Sequence, residues 1–138
     1  MNSEKWTRAS LRIFGEDLVP DEISSRLDLR PTQTHLRGQR KSERVSLAWK
    51  DSMWLLQSPL GTEEDLPRHL EWLLGKLEPK AGIVNEISAK FKMDFFCGFS
   101  SDNGQGGFTL STELLRRLAD IGIPITLDLY PPESLETE

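Results

Sequence analysis

Five charged or aromatic side chains on predicted strands are the residues of this sequence best suited to chemistry. They are Arg8, Arg12, Asp94, Asp128 and Tyr130. They alternate with mainly apolar residues, so the two-residue period of a strand places them together on the sheet face opposite the core. Two carboxylates can act as general acid and base, and arginines fixed beside an aromatic ring can recognise a partner. The same residues also fit a solvated face with cross-strand ion pairs, each contributing only about 0.2–1 kcal/mol.

A glycine-rich segment is the second candidate site. Gly104, Gly106 and Gly107 precede a predicted helix whose N-cap is Ser111. Backbone N–H groups in such loops, together with the helix N-terminus, can hold an anion. The segment lacks the Lys-Ser/Thr pair of a P-loop and the spacing of a dinucleotide fingerprint. A simple turn that requires positive φ is therefore the competing interpretation.

Residues 30–44 form a basic segment whose five cations and one acid give a local charge of +4. One interpretation is a solvated, mobile loop that keeps the protein in solution. The other is a docking patch for an acidic partner, with Arg37 and Arg40 as its candidate binding residues.

Metal and nucleophile signatures are absent from the sequence. The only cysteine is Cys97, and His35 and His69 are isolated from each other at no ligand spacing. Cys97 alternates with phenylalanines, which predicts a small buried side chain and not a nucleophile. His69 adjoins a leucine stripe and is predicted to lie on a helix surface. We predict neither a metal nor a cofactor.

Apolar periodicity predicts an α+β domain. The predicted elements are a strand at 7–14, a helix from 20, a hairpin of strands at 45–50 and 53–58, helices at 66–77 and 80–90, a strand at 91–99, a helix at 112–121 and a strand at 123–130. This is the ferredoxin-like βαββαβ order with an extra C-terminal helix and strand. We expect a two-layer sandwich with helices on one sheet face; the strand order stays open.

Length and composition indicate one domain over residues 1–138, with an ordered core at about 7–130 and an acidic tail at 131–138. A net charge of −5 argues against a nucleic-acid partner. No segment approaches the ~20 apolar residues of a membrane span, so no membrane association is expected. The N-terminus lacks a secretory signal, and the lone cysteine fits a reducing compartment, which together predict a cytoplasmic protein.

Several segments, taken in order, give the chain a resemblance to a known family. They are ASLRIFGEDLVPDEIS, the segment from Thr32 to Gly38, Met53-Trp54-Leu55-Leu56 with Ser58, His69-Leu70-Glu71-Trp72-Leu73-Leu74, and the closing GGFTLS to LDLY stretch. In this order they resemble a bacterial family described as domain of unknown function 4279, over roughly residues 9–130. The resemblance implies no activity and no catalytic positions.

Three hypotheses of function follow. The first is a small cytoplasmic, non-catalytic binding or interaction protein, such as a stoichiometric protein partner of immunity type, that uses the polar sheet face or the basic segment. The second is a regulatory domain that binds a small anion or metabolite at the corner between Gly104 and Ser111. The third is a hydrolase-like enzyme that uses Asp94 and Asp128. The oligomeric state is left open.

Overall fold

The structure, a computed structural model, describes residues 5–101 and 107–130. The strands in this part are β1 (Lys5–Gly15), β2 (Gln33–His35), β3 (Arg40–Ser42), β4 (Val45–Ala48), β5 (Ser52–Gln57), β6 (Lys92–Ser101) and β7 (Ile125–Tyr130). The helices are α1 (Pro20–Leu27), α2 (Leu66–Leu77), α3 (Ala81–Ser88) and α4 (Thr112–Ile121), with a 3₁₀ turn at Glu78–Lys80 between α2 and α3.

A mixed five-stranded sheet in the order β2-β5-β1-β6-β7 forms the centre of the fold. β1 is antiparallel to both of its neighbours, and β2 is antiparallel to β5. Only the last pair, β6 and β7, is parallel, as expected for strands joined through a crossover helix such as α4. The strands β3 and β4 form a separate two-stranded sheet. The mixed α+β architecture predicted from the sequence is confirmed.

One face of the sheet packs against the helices and forms the core. Leu11 and Ile13 of β1, and Phe95 of β6, are completely buried there. Helix residues from the same cluster cover them: Ile23, Leu27, Leu66, Leu70, Leu73, Leu74, Leu77, Val84, Ile87, Leu114 and Leu118. The opposite face, which we call the open face, carries the even-numbered residues of β1 and β6 and the odd-numbered residues of β5.

Pro20, Ser111 and Gly122 act as the sequence predicts at the helix ends. Pro20 opens α1, where its missing N–H is not needed. The Ser111 hydroxyl accepts a hydrogen bond from the Leu114 N–H at 3.1 Å and caps α4. Gly122 ends α4 in the left-handed region at φ 75°. No helix in residues 5–101 and 107–130 has the length and apolar character needed to cross a membrane.

The predicted hairpin of strands 45–50 and 53–58 is wrong. β4 pairs with β3, whereas β5 pairs with β1 and β2. The basic segment therefore contains two short strands and a turn, where the sequence favoured an irregular loop. Trp49 extends the β3–β4 pairing, since its N–H donates to the Gln39 carbonyl at 2.8 Å and its carbonyl accepts from the Gly38 N–H at 2.9 Å. Gly38 adopts φ 91°, which this turn requires.

The C-terminal strand β7 lies at the edge of the sheet and is less covered than its alternation predicts. Leu127 and Leu129 pair with Cys97 and Phe99, so they are on the helical side, as expected. They are nevertheless 49% and 63% exposed, respectively. A side chain on an edge strand has a sheet neighbour on one side only, so the helical layer covers these two leucines incompletely.

A buried polar contact connects α1 to the sheet. Trp54 is completely buried in β5, and its indole Nε1–H donates a hydrogen bond to the Ser24 hydroxyl at 2.9 Å. A buried indole N–H without a partner is costly, so Ser24 satisfies the one polar atom of this large core side chain.

Replacing Ser24 by alanine is expected to lower the free energy of unfolding by about 1–2 kcal/mol, because it leaves the buried indole N–H unpaired. The neighbouring Ser25 is exposed, and Ser25→Ala should change stability by less than ~0.5 kcal/mol. In a Trp54→Phe background the Ser24→Ala cost should largely disappear. Urea unfolding of the four variants measures these values; an equal cost in both backgrounds would show that the hydrogen bond is not responsible.

Candidate functional site

A hydrogen-bonded network joins three strands on the open face. The Arg12 guanidinium of β1 donates from Nε to Asp94 Oδ1 at 2.8 Å and from Nη2 to Asp94 Oδ2 at 2.6 Å. The Thr126 hydroxyl of β7 donates to the same Asp94 Oδ2 at 2.7 Å. Register explains the contact, since Arg12 pairs directly with Asp94 in the ladder. Asp94 is consequently only 8% exposed, although it lies on the face without helices.

Aromatic rings hold the Arg12 side chain in place. Its guanidinium carbon lies 4.1 Å from the ring centroid of Phe96 and 5.5 Å from that of Phe14. These distances are within the range of cation–π attraction. The hydrogen bonds to Asp94 raise the pKa of the Arg12 guanidinium, burial opposes this, and the charge of Asp128 adds to the upward shift. Arg12 is therefore a permanently charged and sterically fixed group.

A second group of side chains surrounds Gly98, four residues along β6 from Asp94. Arg8 and Asp128 both pair with Gly98, from opposite sides of β6. The rings of Trp6 and Tyr130 meet above the glycine edge to face, with centroids 5.6 Å apart. A Cβ at position 98 would lie 2.8 Å from the Trp6 ring and 3.3 Å from the Tyr130 ring, so the absence of a side chain allows this packing.

The open-face side chains around Gly98 are also coupled electrostatically. The Arg8 guanidinium carbon lies 4.8 Å from the centroid of the Trp6 ring. A hydrogen bond with Asp128 raises the pKa of the Tyr130 phenol, whereas the charge of Arg8 lowers it. Tyr130 remains 44% exposed, so its ring and hydroxyl are accessible from solution. Charged groups and exposed aromatic surface thus lie side by side.

The structure brings together on one face the five residues selected from the sequence, Arg8, Arg12, Asp94, Asp128 and Tyr130. Whether they bind a partner stays a prediction. Sequence reasoning omitted four further residues of this face: Trp6, Phe14, Phe96 and Thr126. The alternation of each strand was the available signal, because each of these residues lies an even number of positions from a selected residue on its own strand and so shares its face.

Of the candidate loop residues that the structure describes, Arg37 and Gly107 are not brought together. Gly104 and Gly106 lie outside the described residues. Gly107 precedes Phe108, whose ring contacts Phe99 near the end of β6. Arg37 is at the other end of the sheet, where its N–H donates to Ser52 Oγ at 2.9 Å and its guanidinium pairs with Glu16 at 3.2 Å. Arg37 and Gly107 therefore lie toward opposite ends of β1, and whether either loop binds a ligand stays a prediction.

Cys97 is fully buried, as the sequence predicts, and burial raises the pKa of its thiol to about 12. A thiol in this state is a poor nucleophile, because the thiolate is the reactive form. Its Sγ–H faces the Phe95 carbonyl at 3.7 Å. Cys97 is therefore a packing residue.

His69 is completely buried, which corrects the prediction of a helix-surface histidine. Its Nδ1 lies 2.9 Å from the Ser58 hydroxyl, and Ser58 is only 1% exposed. The hydroxyl gives the ring a buried polar partner, a contact between distant segments that the leucine stripe does not reveal. A serine–histidine pair enclosed in this way has no access to substrate. No cluster of three or more His, Cys, Asp or Glu side chains that could hold a metal occurs in the described ranges.

Comparison with known proteins gives a match over almost the full sequence. The model of the family described as "Domain of unknown function (DUF4279)" matches residues 4–132. The chain belongs to this family. No curated protein and no solved structure matches significantly. The family description names no activity, so membership leaves the role of the open face to be argued from its geometry.

The segments that carry the family resemblance form the scaffold around the open face. The first segment covers the second half of β1 and the beginning of α1, including Arg12. Met53 to Leu56 lies in β5, and His69 to Leu74 lies in α2. The closing segment contributes β7, with Asp128 and Tyr130. Both groups of open-face side chains are thus attached to elements of the family fold.

Arg12 and Asp94 are expected to be energetically coupled. Arg12→Met and Asp94→Asn should each lower the free energy of unfolding by about 1.5–3 kcal/mol, since each removes charge-assisted hydrogen bonds. The double variant should lose less than the sum, with a coupling of about 1–2 kcal/mol. Arg12→Lys should restore only part of the loss, because an ammonium cannot make the bidentate contact.

The matched control for this cycle is Arg8→Met with Asp128→Asn, a pair on the same face that flanks Gly98. Its coupling should stay well below that of Arg12 with Asp94, because no hydrogen bond or ion pair joins Arg8 to Asp128 within the described residues. Urea denaturation gives all the values. If the losses of unfolding free energy caused by the Arg12 and Asp94 substitutions are additive, the predicted coupling is wrong.

Acid should destabilise the protein through its two histidines. Burial lowers the pKa values of His35 and His69 below 6.5 in the folded state. At a pH between the folded and unfolded pKa values of a histidine, the folded state therefore binds fewer protons than the unfolded state. Stability is then fully present above about pH 6.5 and decreases as the pH falls from there towards the folded pKa values. Carboxylates remain ionised in the upper part of this range.

NMR titration of the imidazole carbons tests this expectation directly. Both rings should remain neutral at a pH where a free histidine is half protonated. The free energy of unfolding should decrease less between pH 7.5 and 6.0 in His35→Gln than in the wild type. The same should hold for His69→Gln. An ordinary titration near pH 6.5 for both rings would contradict the assigned effect of burial.

Proposed function

We propose that the protein is a non-catalytic binding protein whose open face docks a protein partner in a stoichiometric complex. One observation carries this proposal: on the face without helices, Trp6 contacts both Arg8 and Tyr130, and the two rings meet beside Gly98. Tryptophan, tyrosine and arginine are the residue types that dominate the energetics of protein interfaces. A merely solvated face has no need for large, partly exposed aromatic rings.

The charge of the open face favours an acidic partner surface. Among the charged residues of β1, β6 and β7 on this face, Arg8, Arg12 and Lys92 are cationic, and Asp94 and Asp128 are anionic. The face therefore carries a formal charge of +1 within a chain of −5. Complementary charge steers association and fixes orientation, so carboxylate side chains on the partner are expected opposite Arg8.

The rigidity of the face supports binding without rearrangement. Arg12 is held by two hydrogen bonds and the Phe96 ring, and Trp6 rests against Tyr130 and the backbone of Gly98. Side chains that are already ordered lose little entropy when a partner binds. The two groups present polar and apolar contacts at fixed positions on a sheet.

The occupied lone pairs of Asp94 support a non-catalytic role. Its carboxylate accepts three hydrogen bonds, two from Arg12 and one from Thr126, so three of its four lone-pair positions are already engaged. We therefore prefer binding to hydrolysis by Asp94 and Asp128. A single free cysteine supports a location in the cytoplasm, where thiols remain reduced.

Affinity measurement with open-face variants tests the proposed function. Partners captured from a lysate of the native cell are identified and purified, and their Kd is measured by calorimetry for the wild type, Arg8→Ala and Tyr130→Ala. Each substitution should weaken binding by about thirtyfold or more if the residue is a hot spot, which corresponds to about 2 kcal/mol. Both side chains are solvent-accessible, so their removal should leave the fold intact.

Arg116→Ala and Leu115→Ala provide matched controls, one charged and one apolar, on the exposed surface of α4 in the helical layer. They should leave the Kd of an open-face partner unchanged. A partner that responds to the α4 variants, and not to Arg8→Ala or Tyr130→Ala, would move the interface to the helical side and reject the proposal.

A further inference from the structure

A cleft of about 230 Å³ lies where the small β3–β4 sheet approaches the open face. Its lining comes from both sheets and from the connection between β4 and β5: Arg12, Phe14, His35, Lys41, Trp49, Lys50, Asp51 and Met53. Arg8, Asp128 and Tyr130 do not line it, so this cleft is separate from the Gly98 region of the proposed protein interface.

The position of Trp49 makes the cleft a preformed site. Its backbone is hydrogen-bonded to Gly38 and Gln39. Its ring is stacked on His35, with centroids 3.7 Å apart and planes at 9°. The Lys41 ammonium lies 5.0 Å from the Trp49 ring centroid. Together with Phe14 and Met53, these rings provide a fixed apolar wall, which is the typical lining of a small-molecule site.

The charges of the lining are suited to one negative charge. Arg12, Lys41 and Lys50 are cations, and Asp51 is an anion. Asp94 neutralises Arg12, so the remaining formal charge is +1. In the described part of the chain neither Lys41 nor Lys50 forms an ion pair. Two ammonium groups at the edge of an apolar cleft can hold a monoanion without the full cost of desolvating it.

His35 provides a polar atom that has no partner. The residue is 9% exposed, and its Nδ1 makes no hydrogen bond within the described residues. Burial lowers the pKa of the ring, while a backbone hydrogen bond with Asp51 opposes that effect. A neutral imidazole nitrogen can donate to, or accept from, a ligand. His35 lines the cleft, so its imidazole adds a polar group to the otherwise apolar wall.

We propose that this cleft binds a small aromatic monocarboxylate of one or two fused rings, with the ring against Phe14, Trp49 and Met53 and the carboxylate between Lys41 and Lys50. The volume of the cleft is below the ~300–1,000 Å³ of typical drug-sized ligand pockets, which favours a ligand of one or two rings. A phosphate ester is less suitable, because it carries close to two charges. None of the eight lining residues lies in a helix, so no helix N-terminus is available to an anion.

Calorimetry and NMR with three probes test the site. Indole-3-carboxylate carries both the ring and the charge, indole only the ring, and acetate only the charge. Indole-3-carboxylate should bind with a Kd below about 1 mM, as expected for a ligand of this size. Indole and acetate should each bind at least about fivefold more weakly. Added salt should weaken the binding of indole-3-carboxylate and leave the binding of indole unchanged.

Lys41→Gln and Lys50→Gln should each weaken binding of indole-3-carboxylate by about five- to tenfold and leave binding of indole unchanged. Lys76→Gln, on the exposed surface of α2, is the matched control and should have no effect. Backbone amide spectra verify that each variant is folded. The proposal is overturned if the probe does not bind at millimolar concentration, if indole binds equally well, or if the cleft variants behave like Lys76→Gln.

Discussion

Hydrogen bonding along both edges of β1 is the constraint on which the structure depends. The strand pairs with β5 through residues 10–15 and with β6 through residues 5–14. A strand held on both sides cannot turn over without breaking two ladders, so every side chain is assigned to one face. Leu11 and Ile13 are thereby committed to the core, and Arg8 and Arg12 to the open face. A shift of one residue would exchange the two sets.

The contact between Arg12 and Asp94 follows from this assignment and in turn reinforces it. The Arg12 and Asp94 side chains are 27% and 12% exposed, so the pair avoids the full desolvation cost of an ion pair in a dry core. Its donors and acceptors match in position only in the observed register. With Thr126 added, one carboxylate connects β1, β6 and β7. The network therefore specifies the alignment of three strands, and in addition it contributes stability.

Charge is distributed unevenly in a way that the net value hides. The chain is acidic, yet the open face and the cleft beside it are each slightly cationic. Arg12 belongs to both regions, because it holds Asp94 on the open face and also lines the cleft. The helical layer, by contrast, is covered by acidic and basic residues in pairs such as Glu78 with Arg117. The fold thus separates a helical layer of mixed charge from an open face that is more basic and more aromatic.

The helices and long strands were predictable from the sequence because their determinants are local. Alternation defined β1, β6 and β7, and Pro20, Ser111 and Gly122 marked helix ends. The partners of β4 and β5 were not predictable in this way. A hairpin was expected because the two segments are adjacent, but β5 pairs instead with β1 and with three residues of the basic segment. β2 and β4 have three and four residues, which is too short for alternation to indicate which strand each one pairs with.

The same division applies to the candidate site. By itself the sequence determined which residues of each strand share a face, since side-chain direction follows from a period of two. Only the tertiary structure decided that Arg12 meets Asp94, that Ser58 accompanies a buried His69, and that Trp49 stacks on His35 beside two lysines. Those contacts join residues 11 to 82 positions apart. They depend on strand order and register, which long-range pairing fixes and local pattern does not encode.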